Sequence, residues 1–393
     1  MIKFLALILS SLTGIAFANP SADSVPWVQV QIPDAYCGHG EPYMVYLKYR
    51  SPEKMMIGFQ PGGACWDKVT CGKLSPLAKL NPARGVDPFG DIFAPDLRST
   101  YMADASFIYF PYCTGDVFTG AHLANYGRYS IHHTGGSNIR KAMAYLKEQN
   151  FFNFGQVTKL VQYGSSAGAI GAIAHMRLME QYFWGATEKT LLADSPGLHW
   201  GEHFFNKFSG EYKQDLIGSL EQVGVEIDPN SGNVAQHVDT LCNNNPTWRF
   251  GFLQSTKDIV MSMVFGGISP WRHRALVLGP NGIFQTSKQK SRNCSVYLND
   301  GFAHMFFDKK NLMTKLVEGL SPENFVLKLL SDTNQVLLPR ETRSLIADQN
   351  ADQNAALTAA ETAAETAAET AAETAAETTD SGLGSSYTGE SSP

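Results

Sequence analysis

Ser166 is the residue whose surroundings most clearly indicate covalent chemistry. It lies in the middle of Gly164-Ser165-Ser166-Ala167-Gly168, which fits the pattern G-x-S-x-G. Residues 157–163 have the apolar character of a buried strand, and residues 169–176 are small and apolar, as in a packed helix. A strand, a sharp glycine-flanked turn and a helix form a nucleophile elbow, which exposes a serine hydroxyl at the edge of a sheet. We predict that Ser166 is the nucleophile, because Ser165 lacks the matching glycine two residues before it.

A serine nucleophile needs a histidine to accept its proton and an acid to orient that histidine. In chains with this elbow, the acid and then the histidine follow the serine. His304 follows the last predicted strand at a glycine-bearing turn and is the best candidate for the base. Asp258 follows the predicted strand 250–254 and is the preferred acid, with Asp194 and Asp300 as alternatives.

The negative oxygen that forms during attack on a carbonyl needs backbone N–H donors directed at one point. Ala167 follows the nucleophile at the start of a helix and is expected to supply one donor. The loop Gly62-Gly63-Ala64 comes directly after an early core strand, which is the chain position expected to supply the others.

The strands and helices that must position these residues alternate along the chain. Strand patterns occupy 25–32, 43–49, 55–59, 106–110, 157–163, 189–194, 250–254 and 295–298, and helical spacing covers 138–149 and 311–319. This order predicts an α/β fold with a mostly parallel central sheet, an antiparallel start and helices on both faces. Segments 70–100 and 265–292 are too long for simple connections and are predicted to be lid insertions over the site.

The chain divides into three parts. Residues 1–18 have the pattern of a secretory signal peptide, with Lys3 before an apolar run and Ala16-Phe17-Ala18 as a cleavage site. Residues 19–346 are predicted to form one catalytic domain. No later segment is apolar enough to span a membrane. We therefore expect a soluble, secreted protein, extracellular or periplasmic, that is a monomer.

Residues 347–393 form a low-complexity tail with five copies of Ala-Ala-Glu-Thr. The repeats at 359–378 have no large apolar residue to bury in a core, so the tail is predicted to be solvated, disordered or partly helical. Nine of the 37 acidic residues lie there, without any lysine or arginine, which leaves 28 acidic against 31 basic residues elsewhere. The body is therefore nearly neutral, and nothing in it indicates a nucleic-acid partner.

Six cysteines remain in the domain, namely Cys37, Cys65, Cys71, Cys113, Cys242 and Cys294. An even number in an exported chain favours disulfides. None of them forms a C-x-x-C pair, which argues against zinc or a redox motif. Six cysteines allow fifteen sets of pairs, so these residues alone leave the pairing open. We expect neither a metal nor a cofactor.

Four segments resemble those of the pectin acetylesterase and Notum family of serine carboxylesterases. They occur in the family's order: Phe59-Gln-Pro-Gly-Gly-Ala-Cys-Trp66, Tyr112-Cys-Thr-Gly-Asp116, Gly164–Gly168 and Asp194-Ser-Pro-Gly197. The resemblance covers roughly residues 35 to 310. It implies an α/β-hydrolase-like esterase that hydrolyses O-acyl esters, most simply O-acetyl esters, of a small molecule or a polysaccharide.

The resemblance also implies roles for individual residues. Ser166, Asp258 and His304 correspond to the catalytic triad, and Gly63, Ala64 and Ala167 surround the oxyanion. It implies that Asp116 is structural, and that the disulfides are Cys65–Cys71, Cys37–Cys113 and Cys242–Cys294. Two alternatives stay open: an acyltransferase, in which an alcohol replaces water, and a non-catalytic carbohydrate-binding or adhesion protein on the same fold.

Overall fold

The computed structural model of the chain describes residues 25–86, 102, 104–289, 293–307, 317 and 319–331. The predicted signal peptide, the predicted tail and most of the predicted helix 311–319 lie outside these residues. The same holds for residues 87–100 of the first predicted lid insertion and for the end of the second.

An eight-stranded sheet forms the centre of the fold. The strands along the chain are β1 (Val28–Tyr36), β2 (Pro42–Lys48), β3 (Ser51–Phe59), β4 (Ala105–Phe110), β5 (His122–Asn125), β6 (Ser130–His133), β7 (Lys159–Ser165), β8 (Glu188–Asp194), β9 (Trp248–Ser255) and β10 (Cys294–Asn299). The sheet order is β1-β2-β4-β3-β7-β8-β9-β10, and β5 and β6 form a separate antiparallel hairpin. β2 is antiparallel to β1 and β4, and all other neighbours are parallel. The predicted mostly parallel sheet with an antiparallel start is confirmed.

Eight α-helices connect or cover the strands among the described residues. They are α1 (Gly135–Glu148), α2 (Ala167–Ala174), α3 (Met176–Tyr182), α4 (Gly210–Glu221), α5 (Val238–Asn244), α6 (Pro270–Leu278), α7 (Ile283–Gln289) and α8 (Pro322–Ser331). The predicted helix 138–149 is α1, which begins three residues earlier, and the predicted elbow helix is α2. A π-helical turn, Val260–Gly266, lies between β9 and α6.

Both faces of the sheet are packed. On β3, Met55, Ile57 and Phe59 belong to the larger apolar cluster, whereas Met56 belongs to the second one. Successive side chains of a strand point to opposite faces, so a strand buried on both sides is apolar throughout. The second face is covered in part by α8 through Phe325, Val326, Leu329 and Leu330.

Three disulfides join all six cysteines. The pairs are Cys37–Cys113, Cys65–Cys71 and Cys242–Cys294, with Cα–Cα distances of 5.0, 5.0 and 6.1 Å. The pairing implied by the family resemblance is therefore confirmed. Cys37–Cys113 closes a loop of 76 residues. Restricting a loop of that length in the unfolded chain stabilises the fold by about 4 kcal/mol. Within the part of the chain described, no helix is both long and apolar enough to cross a membrane.

Three buried histidines are expected to make the fold sensitive to acid. Burial lowers the pKa of His133 and His175 to about 4 and that of His199 to about 3. In the unfolded chain the same side chains titrate near pH 6.5. The unfolded state therefore binds more protons between about pH 6.5 and 4, and stability falls as the pH falls through this range. Burial raises the pKa of Asp116, and that of Asp194 to about 6, which offsets part of the loss.

We expect the melting temperature to drop by several degrees between pH 7.5 and pH 5, because a few kcal/mol of stability are lost. His175→Gln should weaken this dependence, since glutamine keeps a donor for the Phe118 carbonyl oxygen, which lies 2.7 Å from His175 Nε2. Thermal melts of both proteins across this pH range provide the measurement. If the melting temperature depended on pH equally in the variant and the wild type, His175 would not contribute to the acid sensitivity.

Candidate active site

The carboxyl ends of four neighbouring parallel strands carry the candidate catalytic residues. Ser166 follows β7, Asp194 ends β8, Asp258 follows β9 and His304 follows β10. Parallel strands end at the same edge of a sheet, and ligand sites of α/β folds lie at that edge. Side chains separated by up to 138 positions in sequence are thus brought to one side of the molecule.

The turn at Ser166 has the geometry of a nucleophile elbow. Ser166 has φ 55° and ψ −122°, a conformation that residues other than glycine rarely adopt. A Cβ on Gly164 would lie 2.1 Å from the carbonyl oxygen of Gly168, and a Cβ on Gly168 would lie 2.1 Å from that of Phe59. Both flanking positions therefore require glycine, because the turn presses β7, α2 and the end of β3 together.

His304 and Asp258 form a hydrogen-bonded pair. The Nδ1 atom of His304 lies 2.9 Å from Oδ2 of Asp258, which is completely buried. The other carboxylate oxygen, Oδ1, accepts the N–H groups of Val260 and Met261, both at 3.0 Å. An ionised carboxylate only accepts hydrogen bonds, so Nδ1 carries a proton and Nε2 of His304 is left as the basic nitrogen.

The alternative acids are engaged elsewhere. Oδ1 of Asp300 pairs with Arg274 Nε at 3.0 Å and with Lys257 Nζ at 3.4 Å. Asp194 accepts bonds from serine hydroxyls and from backbone N–H groups that follow His304. Of the three acids predicted from the sequence, Asp258 is the one that accepts the hydrogen bond from the His304 ring.

Three other histidines that follow Ser166 in the chain have ring nitrogens in contact with the backbone. His175 contacts the carbonyl oxygen of Phe118, His199 that of Gly197 and His273 that of Thr256, each at 2.7 Å. All three rings are buried. Each of these histidines therefore has a structural contact that occupies one ring nitrogen.

The predicted oxyanion residues surround Ser166 but differ in their N–H groups. Gly63, Ala64 and Ala167 all line the same pocket as Ser166. Ala167 is the first residue of α2, where an N–H has no partner within the helix. The N–H of Ala64, however, donates to the carbonyl oxygen of Leu77 at 3.0 Å. Ala64 therefore contributes its side chain to the pocket wall, while its N–H is already paired.

The pocket beside Ser166 is apolar. The space that it encloses is about 40 Å³, and it opens to solvent. Besides Ser166 and the three predicted oxyanion residues, its wall consists of Trp66, Val117, Ile170, Trp200, Phe204, Phe208, Tyr212, Leu216, Met261 and Phe265. Most of these residues come from segments 200–216 and 261–265, and no role was predicted for the first of these. The i, i+4 spacing of Trp200, Phe204, Phe208 and Tyr212 is the signal that could have identified them.

Lys207 packs against the aromatic residues of the pocket wall. Its ammonium group lies 4.1 Å from the ring centroid of Phe204 and 4.7 Å from that of Trp66. It also donates to the carbonyl oxygen of Phe265 in the π-helical turn. Burial lowers the pKa of Lys207 to about 8. One side chain thus connects the turn 204–207 to the π-helical turn 260–266.

One set of described residues has the spacing of a metal site. Ligand atoms of Cys65, Cys71 and His133 lie within 4.8 Å of one another. The two sulfur atoms form a disulfide, so neither is a thiolate that could bind an ion. The expectation that the protein uses no metal or cofactor stays a prediction.

An eight-stranded, mostly parallel sheet with a nucleophile elbow at its carboxyl edge defines an α/β-hydrolase fold. Among solved structures, the chain is similar to that of the Wnt deacylase Notum from Drosophila, with a TM-score of 0.54 and 16% identity. The match covers 80% of this chain and 96% of that chain. The resemblance to the pectin acetylesterase and Notum family is thus confirmed at the level of the fold. No protein-family model and no curated protein matches the sequence.

Proposed function

We propose that this chain is an exported serine esterase that hydrolyses O-acyl esters through an acyl-enzyme. The observation that carries the proposal is the hydrogen bond between His304 and the buried Asp258, at the same sheet edge as the strained Ser166. A non-catalytic binding protein has no use for a strained serine or for a buried carboxylate that orients a histidine. The likeness in fold to an enzyme named as a deacylase agrees with this chemistry. The three disulfides agree with export.

In the proposed mechanism, Ser166 Oγ attacks the ester carbonyl carbon while Nε2 of His304 takes the hydroxyl proton. The electron pair of the C=O bond moves to oxygen, where the N–H groups of Ala167 and Gly63 stabilise the charge. Collapse of this intermediate breaks the bond to the alcohol, which leaves with the proton held by His304. Water, deprotonated by His304, then attacks the acyl-enzyme and releases the acid and Ser166.

The apolar wall supports an acyl group longer than acetyl. An acetyl group offers one methyl for burial, whereas each further CH₂ in an apolar pocket contributes roughly 0.8 kcal/mol. The O-acetyl substrate expected from the sequence remains one of the two candidates within the proposed function. A polar or charged acyl group would find few partners among the side chains of the wall.

The test is a series of p-nitrophenyl esters from acetate to dodecanoate, hydrolysed by the wild type and by Ser166→Ala. We expect kcat/KM to rise at least about tenfold from acetate to octanoate. If kcat/KM stayed constant or fell with chain length, the protein would still be an esterase, but acetyl would be the favoured acyl group. Equal turnover by the wild type and Ser166→Ala, or no turnover by either, would favour a binding protein. Adding a second alcohol and looking for a new ester distinguishes acyl transfer.

Filling the pocket should alter chain-length preference. Ile170 lies on α2 one turn after the nucleophile and lines the pocket. In Ile170→Phe, the extra ring volume occupies the space of the acyl chain, so kcat/KM for octanoate should fall about tenfold or more. Acetate serves as the internal control and should change by less than about threefold. A proportional loss on both esters would indicate that the acyl chain binds elsewhere.

A further inference from the structure

A second buried carboxylate, Asp194, lies beside the nucleophile without belonging to the triad. It ends β8, pairs in register with Ser165 of β7, and is completely buried. Its Oδ2 atom accepts the Ser165 hydroxyl at 2.8 Å, directly before Ser166. Its backbone carbonyl oxygen accepts the N–H of Ser166 at 2.8 Å. Asp194 therefore holds the elbow through both its main chain and its side chain.

The same carboxylate holds the loop that carries the base. The N–H of Phe306 lies 2.9 Å from both oxygens of Asp194, and the N–H of Phe307 lies 3.0 Å from Oδ2. The neighbouring Ser195 takes part as well. Its hydroxyl donates to Oδ1 of Asp194 at 3.1 Å and accepts the N–H of Met305 at 3.0 Å. Three consecutive N–H groups after His304 are thus fixed by one Asp-Ser pair.

The backbone at this junction is under strain. Ser195 has φ 53° and Met305 has φ 69°, values in the left-handed region that non-glycine residues seldom adopt. Such conformations persist only where surrounding bonds enforce them. Burial of the carboxylate is itself costly and raises the pKa of Asp194 to about 6. Two unfavourable features thus meet at Asp194, which binds both the nucleophile strand and the base loop.

We propose that Asp194 is a positioning residue that fixes the His304 imidazole relative to Ser166. Its carboxylate is hydrogen-bonded both to Ser165, the residue before the nucleophile, and to the backbone of the residues after the base. The positions of the two reacting groups are therefore fixed by the same side chain. Asp194 contacts neither the substrate nor the reacting atoms. The inference rests on the proposed function, because it assigns to Asp194 the geometry on which proton transfer from Ser166 depends.

Asp194→Asn tests this inference, because a carboxamide has one acceptor oxygen for donors that now use two. With p-nitrophenyl butyrate as substrate, we expect kcat to fall about 10- to 100-fold and KM to change less than about threefold. A kcat within twofold of wild type would overturn the proposal. If Ser166→Ala is inactive and Asp194→Asn is unimpaired, only this inference fails. Full activity of Ser166→Ala removes the proposed function instead.

The pH profile separates positioning from general damage. Among the described residues, Asp258 is hydrogen-bonded to His304 and Asp194 interacts with it electrostatically, whereas Asp300 is paired with Arg274 and Lys257. Removing the Asp194 charge makes the imidazolium less favourable, so the acid limb of kcat/KM should move to lower pH. An unmoved limb together with unchanged kcat would overturn the proposal.

Asp116→Asn is the matched control. Asp116 is also a completely buried carboxylate, which accepts the N–H of Gly135 at 2.6 Å and the Thr114 hydroxyl at 2.6 Å. The Asp116→Asn variant should lower the melting temperature comparably but leave the acid limb of kcat/KM in place.

If Asp194→Asn does not fold, Ser195→Ala is the decisive variant, because it removes one hydrogen bond to the base loop and keeps the charge of Asp194. We then expect a three- to tenfold lower kcat, and an unchanged kcat would contradict the role.

Discussion

Replacing Ser166 by alanine is expected to lower kcat for ester hydrolysis by roughly 10⁴- to 10⁶-fold while the fold stays intact. The variant loses the only oxygen that becomes acylated in the proposed mechanism. Stability should change by no more than about 1 kcal/mol, because the substitution removes a single oxygen atom and leaves the backbone turn in place. Steady-state kinetics with p-nitrophenyl butyrate and a thermal melt measure both quantities.

Ser165→Ala provides the neighbouring control. Ser165 donates its hydroxyl to Asp194 and lies in β7, so its loss should lower kcat about tenfold at most. A fluorophosphonate probe, followed by mass mapping of the labelled peptide, distinguishes the two serines directly. The wild type and Ser165→Ala should be labelled at Ser166, and Ser166→Ala should not be labelled. A label on Ser165, or more than a tenth of the activity in Ser166→Ala, would refute the assignment.

Replacing Asp258 by asparagine is expected to lower kcat/KM by about 10³- to 10⁴-fold through the tautomer of His304. Oδ1 of Asp258 accepts two N–H groups, from Val260 and Met261. The asparagine oxygen must occupy this position, which turns the NH₂ group toward Nδ1 of His304. That nitrogen must then accept, so the ring proton moves to Nε2, which can no longer take the proton of Ser166.

Asp300→Asn is the control for Asp258→Asn, since the sequence offered Asp300 as an alternative acid. Its ion pairs with Arg274 and Lys257 would weaken, but the orientation of His304 would persist. We expect less than a tenfold loss of kcat/KM from this variant. The assignment fails if Asp300→Asn is the more damaged of the two, or if Asp258→Asn keeps a tenth of wild-type activity.

The sequence predicted the sheet and the elbow because their signals are local. Gly164 and Gly168 flank a serine between an apolar strand and a small-residue helix. In the structure, a Cβ at either position would collide with backbone atoms. The choice of Asp258 and His304 followed from their order after successive strands. In the structure, Oδ2 of Asp258 lies 2.9 Å from Nδ1 of His304. Strand order along the chain is enough to bring such residues to one edge of a parallel sheet.

Contacts that depend on how irregular loops fold, or on residues far apart in the sequence, could not be predicted in this way. The N–H of Ala64 is paired with Leu77, a contact set by how an irregular loop folds back on itself. The β5–β6 hairpin has exposed and buried positions with little apolar alternation, so no strand pattern marked it. Asp194 was considered only as an acid for His304. Its contacts with the backbone after His304 span 112 positions and leave no trace in composition or periodicity.

The disulfide Cys65–Cys71 closes a short loop immediately after Gly63 and Ala64. The N–H of Cys65 also donates to the carbonyl oxygen of Gly115, so the segment after Gly63 and Ala64 is joined to the neighbouring Thr-Gly-Asp turn. If this disulfide were reduced, the bonds around Asp194 and His304 would remain, but the loop after Ala64 would lose one of its attachments. Under the proposed function, activity would therefore depend on this disulfide, which forms in an oxidising compartment.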